Sequence, residues 1–243
     1  MKLKKILPML VIIGMFSGLE AKPKEKEVTI ENRAITSFHS IEASSAFKVF
    51  LVPGDKESLR VEADANIQKQ IITEVRNNVL YLYTKGDINN PEKMNIYISF
   101  KQLDGIEASG AVTVRCDSVI QSKDFKINLS GASRVHLKLE TQTLVSALSG
   151  ASKLHISGTS EKVELEMSGA SKCNAFHIES KDILCEVSGA AKLFILAQHK
   201  IRGEASGASA IVYKGTPSEN KIEVSGVAKL KQSKGKEDED DKD

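Results

Sequence analysis

The chain contains no tryptophan, few aromatic residues (5%), five prolines and three cysteines. Each shortage removes a class of function. Ring platforms that stack against sugars are scarce, and among the repeats below only Phe194 and Tyr213 are candidates. Cys116, Cys173 and Cys185 are odd in number, irregular in spacing and without a CxxC pair, so they supply neither a disulfide framework nor a zinc or redox motif. They read as small buried hydrophobes, with a Cys173–Cys185 bridge left open. GxSxG, HExxH and a phosphate loop are absent. The longest apolar run, Ile6 to Phe16, is broken by Pro8 and Gly14 and falls short of the roughly 20 residues that span a bilayer.

That run lies between a basic start (Lys2, Lys4, Lys5) and a small-residue exit, Ser17-Gly18-Leu19-Glu20-Ala21, the layout of a secretory signal cleaved after Ala21. An uncleaved anchor is the alternative. No cysteine follows the apolar core, which argues against a lipid anchor. Removing residues 1–21 takes away three lysines and one glutamate, so the net charge of +2 falls to zero. Nucleic acid then loses its electrostatic basis as a partner. The mature chain is expected in the periplasm, on the outer membrane surface or outside the cell.

Seven near-copies of one tetrapeptide organise the remainder, beginning at Ser109, Ser130, Ser149, Ser168, Ser188, Ser206 and Ser225. Each reads Ser-Gly-Ala-Ser or close to it, and the intervals are 21, 19, 19, 20, 18 and 19 residues. Stacked coils absorb such drift in their loops. One residue before the serine (Leu129, Leu148, Met167), two after it (Ala132, Ala151, Ala170) and five after it (Val135, Leu154, Cys173), the columns are apolar and are expected to face a core. Short alternating segments meeting at a glycine corner predict an all-β, single-domain, right-handed parallel β-helix with coils of about 19 residues.

Ahead of the repeats, residues 22–30 form a charged linker, with structure expected from Val28. Strands alternate to Phe100, with a tight turn at Asn77-Asn78 and a single turn of helix after Asp64, which would cap it. Glu42 to Val49 looks like a repeat that has lost its glycine, 65 residues before Ser109. That distance predicts about three further coils, an irregular N-terminal cap and a rod of ten coils, roughly 48 Å long. Residues 233–243 read as an acidic tail without a fold.

The recurrent Ser-Gly-Ala-Ser, with the leader and the Phe47–Gly54 and Val79–Leu82 stretches, resembles the putative auto-transporter adhesin head GIN domain family over residues 31–232. The resemblance implies an exported bacterial β-helical protein and, by its name, adhesion. It implies no cofactor and brings no site residues with it.

The residues themselves offer two polar columns. Two before the serine stand Asn128, Glu166, Glu186, Glu204 and Glu223; four after it, Arg134, Lys153, Lys172, Lys192 and Lys229. They are expected to pair along the rod, or to form a ladder that binds an envelope glycan, a surface protein or a neighbouring copy. His136 and His155 share an outward position in successive coils, a weak metal candidate lacking a carboxylate. Asp104, Asp117, Asp124 and Asp182 are spread one per coil and do not converge as an acid and base pair. The reading is a non-enzymatic binding module; the alternatives are a polysaccharide lyase or hydrolase and a purely structural envelope protein.

Overall fold

The computed structural model describes residues 27–233. Both the leader at 1–21 and the acidic tail beyond Ser233 lie outside them. Among the described residues no helix is long and apolar enough to cross a membrane. Seventeen strands join in one sheet: β1 Val28–Arg33, β2 Ser40–Ala43, β3 Lys48–Pro53, β4 Ser58–Asp64, β5 Ile71–Arg76, β6 Val79–Thr84, β7 Met94–Phe100, β8 Gly105–Ala108, β9 Thr113–Leu129, β10 Arg134–Leu148, β11 Lys153–Met167, β12 Lys172–Val187, β13 Lys192–Leu196, β14 Lys200–Ala205, β15 Ala210–Lys214, β16 Glu219–Val224 and β17 Lys229–Gln232. The last three residues of the 22–30 linker therefore belong to a strand.

From β8 onward every pairing is parallel and each coil stacks on the next. β10 runs beside β11 from Arg134↔Lys153 to Leu148↔Met167, a displacement of one 19-residue coil. This is the expected parallel β-helix. Alternation fills its interior: Val135, Leu137, Leu144 and Leu148 of β10 are buried, and Leu154, Ile156, Val163 and Met167 of β11 repeat them one level up. Each such side chain contributes about 1.5–3 kcal/mol on burial.

At the Ser-Gly-Ala corner the ladder does not break. Ala170 N–H donates to Gly150 O at 2.8 Å, and Ala151 N–H to Gly131 O at the same distance. The glycines hold φ between +64° and +74°, and a Cβ on Gly169 would lie 2.6 Å from Gly150 O, so only glycine fits this stack. The positive φ also resets the alternation. Ala132, Ala151, Ala170, Ala190 and Ala208 point outward and are exposed, against the expectation that they face the core. The following position turns inward instead, burying Ser133, Ser152, Ser171 and Ser209. Ser133 donates to Ser130 O and Ser209 to Val187 O, while the hydroxyls of Ser152 and Ser171 have no partner among the described residues.

A second corner lies eight residues before Ser130, Ser149, Ser168 and Ser188. There the hydroxyls of Ser122, Thr141, Ser160 and Ser180 donate to the carbonyls two residues on, at 2.8–3.2 Å. A Ser/Thr side chain thus turns the chain where no glycine is present.

The N-terminal third departs from a simple stack. The degenerate repeat lies directly against the first Ser-Gly-Ala coil: β2 pairs with β8, β3 with β9, and Ala111 N–H donates to Ser45 O at 2.7 Å. No three coils intervene, and the rod is shorter than ten coils. The chain instead steps outward to lay β6 and β7 on the far side of β2 and β3, then returns to begin β8. Antiparallel strands seal that end, β5 on β6, β4 on β7 and β1 on β4. This antiparallel cover closes the parallel stack and leaves β1 and β5 as its edge strands, each paired with one strand among the described residues. Asn77 and Asn78 both take positive φ in the β5–β6 turn, as expected. The helical turn is a short 3-10 segment at Gln68–Gln70, and the Asp64 carboxylate does not cap it. It accepts from the backbone N–H groups of Glu92 and Lys93.

One carboxylate locks this cap. Glu62 on β4 accepts from Lys93 Nζ at 2.8 Å, Tyr97 Oη at 2.9 Å and Asn95 Nδ2 at 3.2 Å. The Lys93 and Tyr97 hydrogen bonds hold its pKa down at about 2, against an ordinary value of 4.5. A depressed folded pKa adds stability above the unfolded pKa, and that stability is lost as pH falls through 4.5 toward 2. Glu62→Gln is expected to lower the melting temperature by about 5 °C near neutrality and to flatten its fall between about pH 5 and pH 2.5. Thermal melts of both proteins across that range test this; parallel curves would refute it.

Candidate functional site

The coil repeat sets polar side chains into two straight columns. On one side of the Ser-Gly-Ala corner the register runs Arg134↔Lys153↔Lys172↔Lys192↔Ala210↔Lys229. On the other it runs Glu107↔Asn128↔Ala147↔Glu166↔Glu186↔Glu204↔Glu223. Neighbours in each column are about 4.8 Å apart at the backbone. Between the columns runs the exposed ridge of alanines.

The structure does not pair these columns with each other, contrary to one expectation. Among the described residues the side chains of Glu166, Glu186, Glu204, Glu223, Arg134, Lys153, Lys192 and Lys229 make no ion pair or hydrogen bond. The ridge stands between them and puts them on different sides of the coil. The ion pairs present join other positions: Lys162 with Glu164, Lys181 with Glu161, and Arg202 with Asp182. Lys172 lies with its ammonium 5.3 Å from the centre of the Phe194 ring.

Beside the glutamate column the surface is concave. A groove of about 460 Å³ runs along the rod, lined by Glu107, Asn128, Ala147, Glu166 and Glu186 and by the motif serines Ser130, Ser149, Ser168 and Ser188. Leu129, Leu148 and Met167 form its floor. Such a lining suits an elongated cationic group, because carboxylates supply charge and hydroxyls supply acceptors.

Next to the basic column, on the same face, stands a ladder of planar side chains: Tyr97↔Phe50↔Arg115↔His136↔His155↔Asn174↔Phe194. Phe50 and Tyr97 stack with centroids 5.0 Å apart and planes 17° apart. These two rings, separated by 46 residues in the chain, had no signal in the repeat pattern. Stacked this way, the rings spend their faces on each other along the rod axis and show solvent their edges. They are braces, not sugar platforms.

His136 and His155 do meet, with centroids 4.5 Å apart and planes 8° apart. The lone pairs of parallel stacked imidazoles lie in separate planes and do not converge on one ion, so in this geometry the pair is no metal site. Among the described residues no group of three or more potential ligands is gathered.

Three of the four scattered aspartates have a local partner. Asp117 takes a hydrogen bond from Arg115 that pulls its pKa down, Asp182 accepts two from Arg202, and Asp104 accepts from Gln102 and Ser122. The three cysteines are buried free thiols, and the Cys173–Cys185 bridge is not formed. Burial pushes the thiols of both Cys173 and Cys185 up to about 12.

The family description "putative auto-transporter adhesin, head GIN domain" matches residues 37–217. The chain belongs to this family. Solved structures share the head GIN domain's architecture. A "putative adhesin" from Bacteroides fragilis NCTC 9343 is 21% identical, with a TM-score of 0.80, covering 86% of this chain and 98% of its own. A "putative adhesin" from Parabacteroides merdae ATCC 43184 is 17% identical at TM-score 0.71, covering 86% and 97%. A "putative lipid binding protein" from Parabacteroides distasonis ATCC 8503 is 19% identical at TM-score 0.69, covering 85% and 97%. At these identities the likeness is one of fold. Among curated proteins nothing matches the chain. In this head GIN domain the interior is packed with side chains, and the ridge, the two columns and the groove lie on its surface.

Proposed function

We propose that this chain is an exported, non-enzymatic adhesive module of the cell envelope that holds its partner through the charged columns flanking the Ser-Gly-Ala ridge. One observation carries the reading: Arg134, Lys153, Lys192 and Lys229 on one side and Glu166, Glu186, Glu204 and Glu223 on the other stand in register, exposed and without ion-pair partners among the described residues. A surface that keeps like charges about 4.8 Å apart gains when a charged repeating partner binds. The adhesin descriptions of the family and of its structural neighbours are consistent with it. Signal-like residues 1–21 support export.

Its test is binding of the purified chain to an array of neutral and acidic polysaccharides, with every spot also assayed for released product. Salt-sensitive retention on acidic polymers without turnover is the expected result. Replacing Lys153, Lys172 and Lys192 with glutamate is expected to weaken it about tenfold or more, since each exposed pair contributes roughly 0.2–1 kcal/mol. Release of reducing or unsaturated ends would place the protein among polysaccharide-active enzymes and overturn the proposal.

A further inference from the structure

We infer that the ridge, its two columns and the groove form a self-complementary interface on which a second copy of this chain docks side by side and parallel. The inference rests on the reading that the charged columns are the working surface, and it names their partner. At one corner the ridge stands in the middle, glutamates to one side and lysines to the other. Turning a copy by half a revolution about an axis parallel to the rod brings ridge to ridge. Each glutamate column then faces the other copy's lysine column, on both sides of the contact. Such a two-fold contact uses one patch twice and closes on itself.

Three features fit this arrangement. Both columns arise from the same coil, so their axial spacing is identical, and glutamate and lysine flank the ridge together at the corners of Ser168, Ser188 and Ser225. Rotation about a parallel axis preserves level, which sets Glu166 against the partner's Lys172, Glu186 against the partner's Lys192 and Glu223 against the partner's Lys229. These pairs flank the same corners in sequence. The ridge is built of alanine, so the two backbones approach closely, and long lysine stems reach the groove beside Glu166 and Glu186.

An antiparallel contact through the same ridge fails on charge, because a perpendicular two-fold sets glutamates against glutamates and lysines against lysines. Parallel rods point the same way. The pairing therefore joins copies displayed from one surface, and not copies that face each other across two surfaces.

Sedimentation velocity of the purified chain at low and high salt is the test. A dimer at low salt that weakens about tenfold or more in high salt is expected, since exposed pairs are screened. Lys172→Glu, Lys192→Glu and Lys229→Glu together are expected to give a monomer, and so are Glu166→Lys, Glu186→Lys and Glu223→Lys together. An equimolar mixture of the two triple variants is expected to restore the dimer. Ala208→Cys is expected to cross-link to itself under mild oxidation, because a parallel axis sets that position against its own copy. Circular dichroism checks each fold; lysine-to-glutamine and glutamate-to-glutamine sets replace any variant that fails it. A chain monomeric at all concentrations, a dimer that survives either triple replacement, no rescue on mixing, or a dimer that Ala208→Cys does not cross-link overturns the proposal. A monomer that still binds acidic polymers through its lysines removes the second copy and leaves the adhesive reading standing.

Discussion

Gly158→Ala is expected to lower the melting temperature by about 10 °C or to leave the protein insoluble, and Gly203→Ala to do the same. Gly158 lies in β11 with φ +112°, and Gly203 in β14 with φ +138°. At each, an added Cβ would press into the backbone carbonyl of the neighbouring coil, Leu139 O for Gly158 and Cys185 O for Gly203. No rotamer change relieves a clash with backbone. The coil spacing of about 4.8 Å is held by hydrogen bonds on both sides, so the strand cannot move away. Strain at a positive φ costs about 1–3 kcal/mol, and lost pairing adds to it. Gly86 is the control: its φ is +82° but nothing lies within 4 Å of the added carbon. Gly86→Ala is expected to cost only about 1–2 kcal/mol. If thermal melts show Gly158→Ala and Gly86→Ala falling equally, close approach between coils is not what keeps Gly158.

Phe125→Ala is expected to destabilise by about 3–5 kcal/mol, again about 10 °C. Phe125 is 1% exposed and stands at the base of an interior column, Phe125↔Leu144↔Val163↔Ile183↔Ile201. Truncation empties space in a rod whose hydrogen-bonded coils resist collapse around it, so the cavity persists and its cost is felt. Coils stabilise one another mainly through nearest neighbours. Hydrogen exchange should therefore quicken first in β8, β9 and β10. Val145→Ala, at a position 36% exposed, is the comparison and is expected to change stability by less than about 0.5 kcal/mol. Equal losses at the two positions would mean that the interior is not close-packed.

Much of the site was legible in the chain. The lysines four residues after the motif serines and the glutamates two before them fall in columns because a parallel coil of constant length stacks equivalent positions. The same logic placed His136 against His155. What the pattern does not carry is local geometry at the corners. Positive φ at the corner glycine shifts the phase of alternation, so Ala170 points out and Ser171 in. Gly158 occupies a register position held by Leu139 below and Ile178 above, where a hydrophobic side chain would be the natural guess. The hydroxyl turns at Ser122, Thr141, Ser160 and Ser180 recur as regularly as the glycines but carry no unusual residue to mark them.

By itself the sequence determined the coil, its period and the columns, since these follow from repeat length and from the two-residue alternation of a strand. Tertiary structure alone decided the order of the N-terminal layers, because pairing β6 and β7 outside β2 and β3 is a choice between distant segments with equally good local patterns. It also decided that the glutamate and lysine columns stay apart. Repeat length sets which residues share a column, but whether two columns touch depends on the cross-section of the coil, where an outward ridge of alanine holds the charges on opposite sides.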